Sequence, residues 1–202
     1  MGEGSKQFFF ERKNRKTFIS SGVRRLTRAL TAFAALLSAA HAEPRRIPLT
    51  PPDTRAEFTT YAMGLWPLEG HFTRFTGQLT VDPAHTQDCA VTLQIDVASL
   101  QMADPARTRI AVGPKLLNQP QFPTLSYQGS CAGGQAAGLL TMHGVTRPLV
   151  LAARRTGQTV TATGTLHRQD YGIDAMPGLV GRTIKLTFAV SLPEDLAAIV
   201  AP

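Results

Sequence analysis

Histidines are the side chains of this chain best suited to acid–base chemistry or metal binding. Four of them follow position 42, at His71, His85, His143 and His167. Their wide spacing includes no HxH or HExxH pair, the arrangements that bring two imidazoles onto one metal ion. No GxSxG sequence is present to hold a nucleophilic serine on a sharp turn. The sequence therefore predicts no catalytic site, no metal site and no cofactor.

His143, Arg168 and Asp170 give only weak support to the hypothesis that the protein is an enzyme. His143 precedes Gly144, where a reversing chain needs a permissive backbone, so a structural role in a turn is expected. Arg168 and Asp170 are two residues apart and share a face in a strand, which favours an ion pair over an acid–base pair. A lipid-acting enzyme would use His143, His167 or Asp170 as its acid or base, and these groups would have to converge inside a cavity.

The two cysteines, Cys89 and Cys131, are more informative. They flank two alternating segments, CAVTLQIDV (89–97) and TLSYQGSC (124–131), which would be antiparallel neighbours in a meander. If the numbers of paired residues sum to 220, inward apolar residues face one another and the cysteines meet. This register predicts a disulfide and the pairs Ile95–Leu125, Leu93–Tyr127 and Cys89–Cys131.

Period-two alternation continues through most of the chain and predicts the elements that would position these residues. We expect about eight strands, at 56–65, 70–81, 89–97, 124–131, 137–144, 147–155, 159–168 and 183–192. Short turns between them favour an all-β fold, an antiparallel up-and-down barrel that leaves no exposed edges. A β-sandwich is the alternative. The long connection at 98–123 is expected to be a loop or to hold a short helix, as a lid or a mouth.

Charge separates the first 42 residues from the rest. They carry eight Lys or Arg against two Glu, then an apolar run too short to span a bilayer, then Ala40-His41-Ala42. This pattern predicts a signal peptide cleaved after Ala42, and hence a periplasmic protein. Residues 43–202 keep 13 Lys or Arg and 12 Asp or Glu. A net charge of +1 argues against nucleic acid as a partner.

Five segments resemble, in order, the YceI-like family of exported polyisoprenoid-binding proteins. They are EGHFTRFTGQLTVDP (69–83), LQIDVASL (93–100), QPQFPTLSYQGS (119–130), LTMHGVTRPLVL (140–151) and LHRQDYGI (166–173). The resemblance implies a lipocalin-like barrel with an elongated apolar cavity that carries long isoprenoid chains, quinone tails or fatty-acid-like lipids. One segment departs from the family. Where the family has an Arg-Asp-x-His-Leu pattern, residues 101–117 contain Arg107 and Arg109 without a histidine.

The predicted layout has a signal peptide at 1–42, a proline-rich lead-in at 43–53, a YceI-like lipid-binding barrel at 54–193 and a tail at 194–202. A periplasmic carrier is the leading function. An accessory protein that passes a quinone-like molecule to a membrane redox partner is the alternative, and a homodimer is left open.

The apolar chain is expected to lie against the inward face of the barrel, with Trp66 either stacking on the ligand at the mouth or packing in the core. Broken alternation between Phe72 and Phe75 indicates that a bulge could change which face is inward. The predicted ligand-binding residues are Phe58, Met63, Leu65, Trp66, Phe72, Phe75, Leu93, Ile95, Leu125, Tyr127, Leu140, Met142, Phe188 and Val190.

Overall fold

Alternating side chains fold this chain into an antiparallel sheet. The computed structural model describes residues 43–82 and 85–194, without the side chains of 86–88. The predicted signal peptide at 1–42 and nearly all of the predicted tail lie outside them. Within the described residues the strands are β1 Arg45–Pro48, β2 Thr54–Ala62, β3 Trp66–Phe72, β4 Phe75–Asp82, β5 His85–Asp96, β6 Leu100–Met102, β7 Thr124–Ala132, β8 Gln135–Met142, β9 Val145–Thr156, β10 Thr159–His167 and β11 Thr183–Ser191.

All eleven of these strands belong to one sheet, in the order β1-β4-β5-β7-β8-β9-β10-β11-β2-β3-β6. Every pairing is antiparallel, and the sheet curls as a half-barrel around a main apolar core, with a second, small cluster formed by Ile47, Val81 and Leu192. The all-β, barrel-like prediction is confirmed. The described strands outnumber the expected eight because β1 and β6 are additional short strands and because one expected strand is divided in two.

The divided strand forms a corner of the barrel. The predicted strand at 70–81 bends between β3 and β4, so Phe72 and Phe75 are both buried although they differ in parity. The neighbouring strand β5 ends at the same place, where the Asp96 amide donates to the Arg74 carbonyl at 3.0 Å. The broken alternation therefore marks a corner rather than a bulge within one strand.

The lead-in at 43–53 contributes to the sheet. Strand β1 pairs with β4, and it buries Ile47 while Leu49, just after it, is buried in the core. The sheet thus begins before the expected position 54, because alternating apolar residues outweigh the prolines that surround them.

The register predicted for β5 and β7 is confirmed. Leu93 faces Tyr127, Ile95 faces Leu125, and Cys89 forms a disulfide with Cys131 across a Cα–Cα distance of 4.7 Å. We call this end of the barrel, with the adjoining turns at 133–134 and 157–158, the lower end.

The long connection holds the predicted short helix, α1 Pro105–Val112. Asp104 caps it by accepting the Ala106 amide at 2.8 Å, and Pro105 occupies the first turn, where its missing N–H costs nothing. The connection meets three other segments at what we call the upper end: the turn between β2 and β3, the turn at 143–144, and a loop at 172–182. No helix of the described residues is long and apolar enough to cross a membrane.

Candidate functional site

The upper end encloses an apolar cavity of about 450 Å³, which we call the upper cavity. Inward-facing side chains of strands on both sides of the barrel line part of it. Seven predicted ligand-binding residues line it: Phe58, Phe72, Ile95, Leu125, Leu140, Met142 and Phe188. Among all the described lining residues, four are polar, namely Glu57, Thr60, Arg107 and Arg168. A cavity of this size and composition suits an apolar ligand.

Irregular segments complete the upper cavity and were not predicted as lining. The α1 segment and the residues after it contribute Ile110, Ala111, Leu116 and Leu117. The 172–182 loop contributes Ile173, Met176, Leu179 and Val180. These positions follow no regular period, so alternation could not identify them. The available signal was the apolar content of a long connection already expected to be a lid or a mouth.

A second cavity of about 130 Å³, the lower cavity, lies at the disulfide end of the barrel. Leu93, Tyr127 and Val190 line it, beside both cysteines. The Tyr127 hydroxyl donates to the Ala136 carbonyl at 2.9 Å, and burial raises the pKa of this phenol, so it stays neutral. Phe188 is the one residue shared by the described linings of the two cavities, and we infer that its ring is the partition between them.

Four predicted ligand-binding residues lie outside both cavities. Phe75 is buried at the corner of the barrel, whereas Met63, Leu65 and Trp66 are 65%, 76% and 67% exposed. The predicted strand at 56–65 is too long: Met63 and Gly64 take positive φ angles of 50° and 72° and reverse the chain. Such a pair is typical of a tight hairpin turn.

Trp66 therefore does not pack in the core. It pairs with Ala62, which lines the upper cavity, so the two side chains are on the same face of the hairpin. A stacking role for Trp66 on a ligand at the mouth stays a prediction.

Arg168 holds the 172–182 loop in place. It is 2% exposed, and its guanidinium donates to the carbonyls of Ile173 at 2.6 Å, Gly181 at 3.0 Å and Val180 at 3.2 Å. Burial lowers the pKa of Arg168, and the charge of Asp174 opposes that shift. The expected pairing with Asp170 is wrong: Arg168 lies in a 3-10 turn, Arg168–Tyr171, rather than in a strand, and its side chain turns to the loop carbonyls instead.

The candidate acid–base residues do not converge on either cavity. His143 occupies the tight turn with φ of 53°, its Nδ1 lies 3.2 Å from the Tyr171 carbonyl, and its ring centroid is 4.4 Å from that of Phe122. Neither His143, His167 nor Asp170 lines a cavity. In the described residues, no three His, Cys, Asp or Glu side chains gather as a metal site.

An exposed ion pair lies at the corner between β3 and β4. The Arg74 Nη2 and Nε atoms lie 2.7 and 3.0 Å from Oδ2 of Asp96, whose Oδ1 accepts the Ala98 amide at 2.8 Å. The hydrogen bond from Arg74 holds the pKa of Asp96 below its usual value.

Comparison with known proteins places this architecture in a family. A model described as the YceI-like domain matches residues 48–192. The UPF0312 protein of Pseudomonas putida strain GB-1 is 27% identical over 180 residues, covering 80% of this chain and 93% of that protein. The UPF0312 protein of Yersinia pestis strain Pestoides F is 26% identical over 149 residues, covering 66% of this chain and 78% of its own length.

A solved structure supports the fold. The crystal structure of BcnA from Burkholderia cenocepacia superposes on 69% of this chain and 96% of its own chain, with a TM-score of 0.57 at 21% identity. The match over residues 48–192 shows that the chain belongs to the YceI-like domain family.

Proposed function

We propose that this protein binds and carries one long apolar chain, such as a polyisoprenoid, a quinone tail or a fatty-acid-like lipid. The observation that carries the proposal is the upper cavity, whose volume is about 450 Å³ and whose lining is almost entirely apolar. Transfer of an apolar chain from water into such a cavity is favourable by roughly 0.8 kcal/mol per methylene. Binding would need no catalytic group.

The residues that line the upper cavity indicate the path that the bound lipid would take. Leu179 and Ile110 line the upper cavity and are also about half exposed, so the cavity reaches solvent between the 172–182 loop and α1. Arg107 belongs to the same rim and can face a polar head group while the chain points inward. The far end of the chain would reach the partition at Phe188.

A periplasmic location is part of the proposal. Two features support it: the signal-peptide pattern of residues 1–42, and the Cys89–Cys131 disulfide, which suits an oxidising compartment. A lipid-acting enzyme has less support, because its candidate acids and bases lie away from both cavities.

A series of saturated alcohols and prenols of increasing length tests the proposal. Affinity measured by calorimetry should rise with each added carbon and level off when the cavity is full. Ala111→Phe, which fills the upper cavity from α1, should weaken binding at least tenfold. Ala106→Phe, on the exposed face of the same helix, is the matched control. Affinities that do not depend on chain length would refute the proposal.

A further inference from the structure

Exposed apolar side chains are concentrated at the upper end of the barrel, at the turn between β2 and β3. We call residues 61–66 the hairpin tip. Its Met63, Leu65 and Trp66 are about two-thirds exposed or more, and Tyr61 is 49% exposed. Leu179, whose carbonyl accepts the Met63 amide at 3.1 Å, is 57% exposed. A contiguous apolar patch of this kind marks an interaction site.

The hairpin tip is held in its exposed position by backbone contacts. Ala62 forms a bridge with Val180, and the Gly181 amide donates to the Tyr61 carbonyl at 2.7 Å. The loop that makes these contacts is itself held by Arg168. The tip is therefore fixed in a protruding position, and its apolar side chains do not fold back into the cavity.

The chemistry of the hairpin tip fits a bilayer surface. From Phe58 to Leu68 the sequence contains no charged residue, although Glu57 and Glu69 bound this run on either side. Tyr61 and Trp66 combine an apolar ring with a polar atom, and such side chains favour the membrane–water interface.

The apolar surface of the tip is continuous with the cavity. Leu179 belongs to both the exposed patch and the cavity lining, and Trp66 pairs with the lining residue Ala62. Acyl chains in contact with the tip would therefore lie beside the mouth of the upper cavity.

We propose that the hairpin tip and Leu179 dock on a phospholipid bilayer, so that the mouth of the upper cavity opens against the lipid and the carried chain moves between them without crossing water. This inference rests on the proposed function, to which it adds the partner: the lipid surface itself.

Trp66 is the one tryptophan of the whole sequence, so intrinsic fluorescence reports directly on the tip. The experiment mixes the mature form predicted from the sequence, residues 43–202, with phosphatidylcholine vesicles, so that neither the basic residues nor the apolar run of 1–42 contributes to binding. Docking should shift the emission to shorter wavelength, and brominated phosphatidylcholine should quench it at least twofold. Unchanged emission and no quenching would overturn the proposal.

Paired variants locate the effect. Met63→Asp with Leu65→Asp should abolish quenching and slow the transfer of a fluorescent prenol from vesicles at least tenfold. The matched control is Leu139→Asp with Val150→Asp, which places the same charges on half-exposed apolar positions of the barrel wall. Equal losses in both pairs would overturn the assignment to the tip. A spectral shift that depends on protein concentration without vesicles would instead assign the patch to a second copy of the chain.

Binding of a short, water-soluble alcohol without vesicles separates the two proposals. The tip variant should bind it within twofold of the unmodified protein. If the protein binds the alcohol normally but vesicles do not quench Trp66, only the docking proposal is rejected. Vesicle quenching without any alcohol binding would reject the carrier function on which docking rests.

Discussion

The two ends of the barrel interior differ in how they are closed. The lower cavity, of about 130 Å³, is surrounded by paired strands and a disulfide. The upper cavity, of about 450 Å³, is covered by a short helix and two irregular segments whose apolar side chains are partly exposed. The difference agrees with the proposed function, in which the lower end stabilises the barrel and the upper end would admit the ligand.

Removing Arg168 should have the largest effect on this division. Arg168→Met leaves three carbonyl groups without their donor, and we expect the free energy of unfolding to fall by roughly 3–5 kcal/mol. Chemical denaturation measures the loss, and amide hydrogen exchange should accelerate first at 172–182.

The control for this variant is Arg147→Met. Arg147 donates one exposed hydrogen bond, to the Asp170 carbonyl at 3.2 Å, so its loss should cost no more than about 1 kcal/mol. Equal destabilisation by the two variants would show that Arg168 is not what holds the upper end together.

Removing the disulfide tests the lower end. The double variant Cys89→Ala with Cys131→Ala removes a cross-link between residues that are 42 positions apart in the sequence. Its loss should lower the free energy of unfolding by about 2–4 kcal/mol. Ligand affinity, measured well below the unfolding midpoint, should stay within twofold, because neither cysteine lines the upper cavity. A large loss of affinity would mean that the two ends do not act separately.

Phe188 tests whether the cavities can join. Phe188→Ala removes the partition and should cost about 2 kcal/mol of stability, less than the substitution of a fully buried ring because Phe188 is half-buried. The chain length at which affinity levels off should increase by several carbons. Val190→Ala, which enlarges only the lower cavity, should leave that length unchanged. If the chain length at which affinity levels off is unchanged in both variants, Phe188 is not the partition between the cavities.

The Arg74–Asp96 pair should give the smallest effect. Its hydrogen bond lowers the pKa of Asp96, so the folded state favours the carboxylate. The stabilisation is present above the unfolded pKa of about 3.9 and is lost as pH falls through the lower folded value. Because the Arg74 side chain is 63% exposed, we expect less than about 1 kcal/mol. Asp96→Asn should flatten this part of the stability curve between about pH 5 and about pH 2, as followed by urea denaturation.

The sequence predicted what depends on strand parity. The register that pairs Cys89 with Cys131 follows from alternation alone, since a shift by one residue would turn the apolar face outward. For the same reason, most predicted inward residues within strands line one of the two cavities.

What the sequence did not predict depends on where strands end and on long-range contacts. The errors at Met63 and Leu65 arose because alternation gives the face of a residue but not the position of the turn. The lining by Met176 and Leu179 depends on the hydrogen bonds of Arg168 to a loop that has no periodic pattern. The role of Arg168 was missed because sequence spacing suggested that it pairs with Asp170, which is closer along the chain.

Native mass spectrometry of the protein purified without detergent from its own organism tests the central claim most directly. The account predicts one additional mass per chain, equal to that of a long-chain lipid recovered by solvent extraction, and its loss from Ala111→Phe but not from Ala106→Phe. A bare chain mass, with no lipid in the extract, would contradict the account.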